Sequence, residues 1–366
     1  MINVLIADDS PVILASLENI LSSDPSIRVI ATARNGQEAL SLALSKKPDV
    51  ITMDINMPVM DGLEAVRQIM QTNPIPVIII SGVMDAEDPK DSFKALEAGA
   101  VTIMNKPRAL GSKESLVYAK QLIQQVRLLS EIRLVKRFAR TKNAGSIGLN
   151  NDISKSHVQK KIQAEGKNAS LPEIIAIAAS TGGPPVIQKI LSGLPADFRI
   201  PVVIVQHIVA GFMLDFARWL SETSAIPIVI PQNTEEILPG KCYIAPDSYH
   251  LKIRKKHFLY TQDKKHNICP SASVLFESIS EEYGDRALGI ILTGMGNDGA
   301  EELKKMKQSG AVTIAQDKNT SVIYGMPGEA VKIGAAAMVL SPEEIIKYLK
   351  DINFREKSLF LQNQLA

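Results

Sequence analysis

Ser180 ends an apolar run. The stretch IIAIAASTGGPP, residues 174–185, reads as a buried strand that stops on the serine, then gives two glycines and two prolines before a helix-like segment, Val186 to Leu191. Glycines admit backbone angles that other residues resist, and Pro184 or Pro185 can open a helix, where a first-turn N–H needs no partner. The order is strand, tight turn, helix. A hydroxyl at such a turn can project from the carboxyl edge of a parallel sheet, where open α/β folds keep their ligands. The same letters suit a serine that caps the following helix. A nucleophilic serine needs a base to take its proton and an acid to hold that base in one tautomer. Of the five histidines, His207 ends the next strand-like run, PVVIVQH, and would share the edge with Ser180; His250, His257 and His266 fall in a middle stretch and His157 in a polar one. Asp298, in LTGMGNDGA (residues 292–300), follows another apolar run and can aim back at that edge. A satisfied sheet-edge histidine and an N-cap carboxylate are the plainer accounts of these two residues.

The same glycine-rich loop is formally GxGxxG, through Gly294, Gly296 and Gly299, with Asp317 at nearly the spacing of a dinucleotide-binding unit. Asp298 would then put a negative charge where a pyrophosphate must sit, which disfavours a nicotinamide-dependent oxidoreductase.

A second set of reactive types lies near the N-terminus. Asp8 and Asp9 follow VLIA, and Asp54 follows VITM. Strand ends meet along one edge of a parallel doubly wound sheet, so these acids would crowd together, at a cost unless a cation sits among them. Mg²⁺, a hard oxygen-ligated ion, suits such a site. Ser81 in VIIISG and Lys106 in TIMNKP occupy equivalent strand ends. A hydroxyl and an ammonium beside an acid with a divalent cation describe a carboxylate that accepts a phosphoryl group.

The elements that must position these groups alternate in kind. From Met1 to about Gln125, the runs NVLIAD, VIAT, DVITMD, PVIIIS and AVTIMNK alternate with amphipathic helical patterns, and Ser10 with Pro11 starts the first helix. A helical extension follows, QLIQQVRLLSEIRLVKRFAR, with Arg127, Arg133, Lys136, Arg137 and Arg140 as a solvated basic face. Residues 141–170 offer little apolar surface and read as a flexible linker. From Leu171 the alternation resumes with IIAIAAS, PVVIVQH, IPIVI, ALGIILT and AVTIAQ, and Lys241 to Tyr260 reads as short antiparallel strands bordering the sheet. The expected class is α/β: an N-terminal doubly wound, five-stranded parallel domain (1–125), an extension and linker (126–170), a C-terminal doubly wound, mostly parallel α/β domain (171–353), and a tail (354–366).

Composition agrees with a soluble protein of 366 residues in two cores: 45% hydrophobic, 22% charged, net charge +2. That balance carries no nucleic-acid signal, and the C-terminal half does not read as a helix-turn-helix. Cys242 and Cys269 form no zinc pattern. The opening MINVLIADDS lacks a signal-peptide pattern and no run reaches the roughly 18 apolar residues that span a bilayer, so a cytoplasmic protein without membrane insertion is expected.

Residues 1–125 resemble the receiver domain of two-component response regulators: Asp8 and Asp9 match the acidic pair, Asp54 the phosphoacceptor, Ser81 the hydroxyl residue, Lys106-Pro107 the lysine motif and DINMPVMDG the loop after the acceptor. Ile103 stands where receivers commonly carry a switch aromatic. The C-terminal half resembles the chemotaxis protein-glutamate methylesterase family through ASTGG, QH, GF, LPG, YIAP, VLF, LTGMGNDGA and YGMP, in family order. It departs from that pattern at Ala178, Met213, Ser273 and after His207. The resemblance implies hydrolysis of glutamate methyl esters, with glutamine deamidation beside it, on methyl-accepting chemotaxis receptors, controlled by a histidine kinase. Ser180, His207 and Asp298 would be the triad, with Thr181 and Met295 beside the serine as backbone oxyanion donors. Mg²⁺ would be held by Asp8, Asp9 and Asp54, with no cofactor in the esterase site.

Overall fold

The computed structural model describes residues 1–82, 90–107, 113–132, 171–262 and 268–364. The N-terminal half alternates β1 (Ile2–Ala7), α1 (Pro11–Ser22), β2 (Ile27–Ala33), α2 (Gly36–Lys46), β3 (Val50–Met53), α3 (Gly62–Thr72), β4 (Val77–Ser81), α4 (Lys90–Ala98), β5 (Thr102–Asn105) and α5 (Lys113–Ser130). Ser10 caps α1 through its side chain and Pro11 opens the helix. The strands form one parallel sheet in the order β2-β1-β3-β4-β5. Helices cover both faces, so β3 and β4 are buried along their whole length, as apolar runs without alternation require.

The C-terminal half carries β6 (Ile174–Ala179), α6 (Gly183–Ser192), β7 (Val202–Gln206), α7 (Met213–Ser221), β8 (Ile228–Val229), β9 (Cys242–Ile244), β10 (His250–Arg254), β11 (His257–Thr261), α8 (Ala272–Tyr283), β12 (Ala287–Ile291), α9 (Ala300–Gln308), β13 (Val312–Gln316), α10 (Met326–Lys332), β14 (Met338–Leu340) and α11 (Pro342–Gln364). Seven strands form a sheet in the order β14-β13-β12-β6-β7-β9-β8. Strand order reverses at β6, the switch point where α/β sheets open a crevice. No described helix is long and apolar enough to cross a membrane.

Three local expectations change. Within Lys241–Tyr260 only β10 and β11 pair antiparallel; β9 lies inside the main sheet, parallel to both β7 and β8. The run IPIVI keeps two residues as strand, because β8 is an edge with a partner on one side alone. The helix after Ser180 begins at Gly183, three residues before the expected segment, with the prolines in its first turn. In addition α11 continues past Asn353 to Gln364, through the expected tail. Arg127 of the basic face pairs with Asp24 at 2.5 Å; Arg133, Lys136, Arg137, Arg140 and the linker lie outside the described residues.

The two halves touch through apolar surface. Phe93 of α4 meets Phe216 and Trp219 of α7 with ring centroids 5.6 and 5.4 Å apart. Ile323, in the turn between β13 and α10, joins the apolar cluster of β1, β4 and α5.

Candidate active site and acidic pocket

Parallel pairing of Ala7 with Met53 sets Asp8 beside Asp54. Carboxylate oxygens of Asp8, Asp9 and Asp54 lie within 4.8 Å of one another. Asp8 is wholly buried and Asp54 is 3% exposed. Lys106 Nζ stands 3.0 Å from Asp54 Oδ2 and 3.5 Å from Asp8 Oδ2. Ser81 is buried at the end of β4, and its carbonyl accepts from Lys106 N–H at 3.0 Å. Asp8, Asp9, Asp54 and Lys106 therefore meet at this edge, and Ser81 stands at the end of the strand paired with that of Lys106.

The charge balance is uneven. Burial and the adjacent Asp8 charge push Asp54 up to about 6, against the pull of Lys106. Burial also raises Asp8, although Ser10 N–H and Lys106 oppose it. For Lys106 burial acts downward, and the two carboxylates outweigh it and raise the ammonium. Asp8 Oδ2 accepts no hydrogen bond among the described residues. Three hard carboxylates, one with an unsatisfied buried oxygen, and two acids raised by burial, Asp54 also by the neighbouring Asp8 charge, fit a divalent cation such as Mg²⁺.

In the other sheet Ala179 pairs with Gln206, so Ser180 and His207 leave adjacent strand ends. Ser180 does not cap α6: the N-cap is Gly182, at φ 76°. A side chain at Gly182 would strain this angle and meet Val322 at 2.6 Å. Gly294 approaches the serine itself, since a Cβ there would lie 2.7 Å from Ser180 Cβ. The glycine-rich loop is thus occupied in packing against the serine. Nor does Asp298 cap the helix it precedes, whose N-cap is Gly299 without a side-chain bond. Its carboxylate turns to His207 instead, and Nε2 donates to Oδ2 at 2.9 Å.

Asp298 is held from a third direction. Ala272 N–H donates to Oδ2 at 2.6 Å, Ser273 N–H to Oδ1 at 3.2 Å and Ser271 Oγ to Oδ1 at 2.8 Å. Burial alone would raise this carboxyl, but the bonds from His207, Ser271 and Ala272 prevail and hold it well below the usual carboxylate range.

Ser180, Thr181, His207 and Met295 line one cleft of about 690 Å³, roofed by Ile103, Gln121 and Gln125 of the N-terminal half. Among the described residues, the backbone N–H groups of Thr181 and Met295 donate no hydrogen bond, and none joins Ser180 Oγ to His207. A serine, an imidazole oriented by a carboxylate, and free N–H groups in one cleft can perform acyl transfer.

Two residues beyond the expected set shape this site. Gln206, buried under the sheet edge, donates Nε2 to the carbonyls of both Ser180 and His207, each at 2.9 Å. Its position beside His207 in the QH pair was the available signal. Ser271 had none, because a polar residue before a helix reads as its cap.

Residues 4–116 match the response regulator receiver domain and residues 175–349 the CheB methylesterase family. The chain is 42% identical over 355 residues to protein-glutamate methylesterase/protein-glutamine glutaminase 4 of Geobacter metallireducens, covering 96% of this chain and 99% of the relative. The corresponding enzyme 1 of Syntrophus aciditrophicus is 43% identical, covering 95% and 97%. Enzyme 2 of Methanospirillum hungatei is 40% identical, covering 98% of this chain and its own full length. With both halves matched in order and nearly end to end, the chain belongs to the protein-glutamate methylesterase family, as a response regulator receiver domain fused to a methylesterase domain.

Proposed function

We propose that the protein hydrolyses methyl esters of glutamate side chains, and amides of glutamine side chains, on methyl-accepting chemotaxis receptors, under control of receiver phosphorylation. The observation that carries the reading is the 2.9 Å bond from His207 Nε2 to Asp298 Oδ2 in the cleft that Ser180 lines. With Nε2 committed to Asp298, Nδ1 is the nitrogen left to take the Ser180 proton. Ser180 Oγ bonds to the ester carbonyl carbon, and the oxyanion that forms is met by the N–H groups of Thr181 and Met295. Collapse breaks the C–O bond to the methoxy group, which leaves as methanol with the proton held on His207. Water then attacks the acyl-serine, gives its proton to Nδ1, and frees glutamate and Ser180. With an amide substrate the leaving group is ammonia.

In the receiver, Asp54 would accept the phosphoryl group from a histidine kinase. Asp8, Asp9 and Asp54 would hold Mg²⁺, which when bound offsets the charge on the phosphoryl oxygens. Lys106 and the Ser81 hydroxyl would contact the same oxygens. The receiver roof over the cleft supports a resting state closed to protein substrate, and phosphorylation would shift that docking equilibrium. The test is methanol release from methylated receptor membranes, with and without a phosphodonor. Release that is abolished by Ser180→Ala and raised by the phosphodonor supports the reading; normal release by Ser180→Ala ends it.

A further inference from the structure

Ser271 sits at the N-cap of α8 with extended backbone angles and makes no side-chain bond to its own helix. A serine there ordinarily accepts from an N–H of the first turn. Here Asp298, from the loop after β12, takes that role by accepting from Ala272 N–H and Ser273 N–H, while the Ser271 hydroxyl is spent as a donor to Asp298 Oδ1 at 2.8 Å. Ser271 is wholly buried, and its own N–H donates to Nδ1 of His250, itself 1% exposed, at 3.2 Å. That bond leaves Nδ1 of His250 without a proton and fixes the backbone from which the hydroxyl projects.

We propose that Ser271 is a positioning residue of the reaction: its hydroxyl sets the plane of the Asp298 carboxylate so that Oδ2 faces His207, and it limits how strongly that carboxylate favours the imidazolium. The proposal rests on the reading of Ser180, His207 and Asp298 given above. Among the groups that hold Asp298, two are backbone amides and one is His207 itself, so the hydroxyl is the remaining side chain that orients it. Without it Oδ1 keeps the 3.2 Å bond from Ser273 N–H, and the carboxylate can rotate about its own axis and becomes more basic. A more basic Asp298 stabilises protonated His207, so the base stays blocked to higher pH. Titratable groups on the elements packed here include His250 beside Ser271, Cys269 in the cleft, Glu277, Glu281, Glu282 and Tyr283 of α8, and Glu301, Glu302, Lys304, Lys305 and Lys307 of α9. All are unchanged in a Ser271 variant, so a shift relative to the parent protein reports the hydroxyl. A plain capping serine would affect the melting temperature and leave the pH profile where it was.

The experiment measures kcat and KM for methanol release by the phosphorylated full chain across pH, for the parent, Ser271→Ala, Ser271→Thr and Ser180→Ala. Expected for Ser271→Ala are a kcat about tenfold lower, KM within about twofold, and an acid limb of kcat/KM moved upward by about half a pH unit, as loss of a hydrogen bond to a charged group implies. Ser271→Thr should restore both quantities. If Ser271→Ala does not fold, Ser271→Cys, with a weak donor of similar size, is read in its place and should show the same two changes. An unmoved acid limb with unchanged kcat, or a Thr variant no better than Ala, overturns the positioning role while Ser180→Ala remains inactive. Methanol release by Ser180→Ala instead removes the functional reading and the proposal with it.

Discussion

Glu97 of the receiver accepts the indole N–H of Trp219 in the esterase domain at 2.9 Å, through the same Oε1 that accepts from Gln188 Nε2 at 2.7 Å. One carboxylate oxygen thus bonds two helices of the other domain. A hydrogen bond to a charged group is worth about 1.5–3 kcal/mol and each 1.4 kcal/mol is about tenfold in population, so Glu97→Ala should raise methanol release without a phosphodonor by roughly tenfold when the closed form dominates. Glu97→Gln, which keeps an acceptor, should fall between. Parent-like basal rates in both variants would show that this contact does not hold the roof down.

Replacing Asp298 by Asn preserves shape but removes the charge that fixes the His207 tautomer. Turnover should fall by about 10⁴-fold, as in a triad whose histidine is held in the wrong tautomer, while Ser180→Ala leaves whatever residual rate the cleft alone supports. A fall of tenfold or less for Asp298→Asn, measured by methanol release, would assign the acid elsewhere.

The raised Asp54 gives the receiver a defined response to pH. Its folded value of about 6 lies above the ordinary 3.8, so between the two the native state binds more protons than the unfolded one. Metal-free protein should therefore gain receiver stability as pH falls from 7 through 6, the reverse of the Asp24 contribution, whose folded value near 2 means stability lost only below about 4. Mg²⁺ should raise the receiver melting temperature at pH 7.5, less at pH 5.5, and little in Asp54→Asn. Scanning calorimetry reads this, and a Mg²⁺ effect independent of pH and of Asp54 would place the ion elsewhere.

Gly294→Ala tests how closely the loop must approach the serine. The added methyl would lie 2.7 Å from Ser180 Cβ, 2.5 Å from Met326 Sδ and 3.0 Å from Ser180 N. Overpacking of this kind costs about 1–3 kcal/mol. If that cost is taken up by displacing Ser180, turnover should fall by roughly 5- to 150-fold while Asp54 phosphorylation proceeds normally, since the receiver is untouched. Parent-like turnover would mean the loop yields without moving Ser180.

Strand ends carried most of the legible information. Asp8, Asp54, Ser81 and Lys106 could be grouped because a parallel sheet lines up its carboxyl ends, and Ser180 with His207 for the same reason. What tied Asp298 down was not readable, because its partners on α8 come from 25 to 27 residues earlier and look like an ordinary helix start. The direction of β9 was hidden in a three-residue run whose pairing depends on a long preceding loop. The roof was hidden too: Phe93 and Trp219 each sit on an amphipathic helix, where an apolar residue facing another domain has the same spacing as one facing its own core.

The chain has one tryptophan, and it is 1% exposed at the seam between the domains. Every photon of indole emission from this protein therefore originates at the contact that, in the proposed control, parts on phosphorylation. Undocking would hydrate that ring, shift its emission to longer wavelength and remove its contact with Phe93. The opening step can thus be timed optically in the unlabelled protein, on the same sample and within the same mixing event as the addition of phosphodonor, before any methanol has formed.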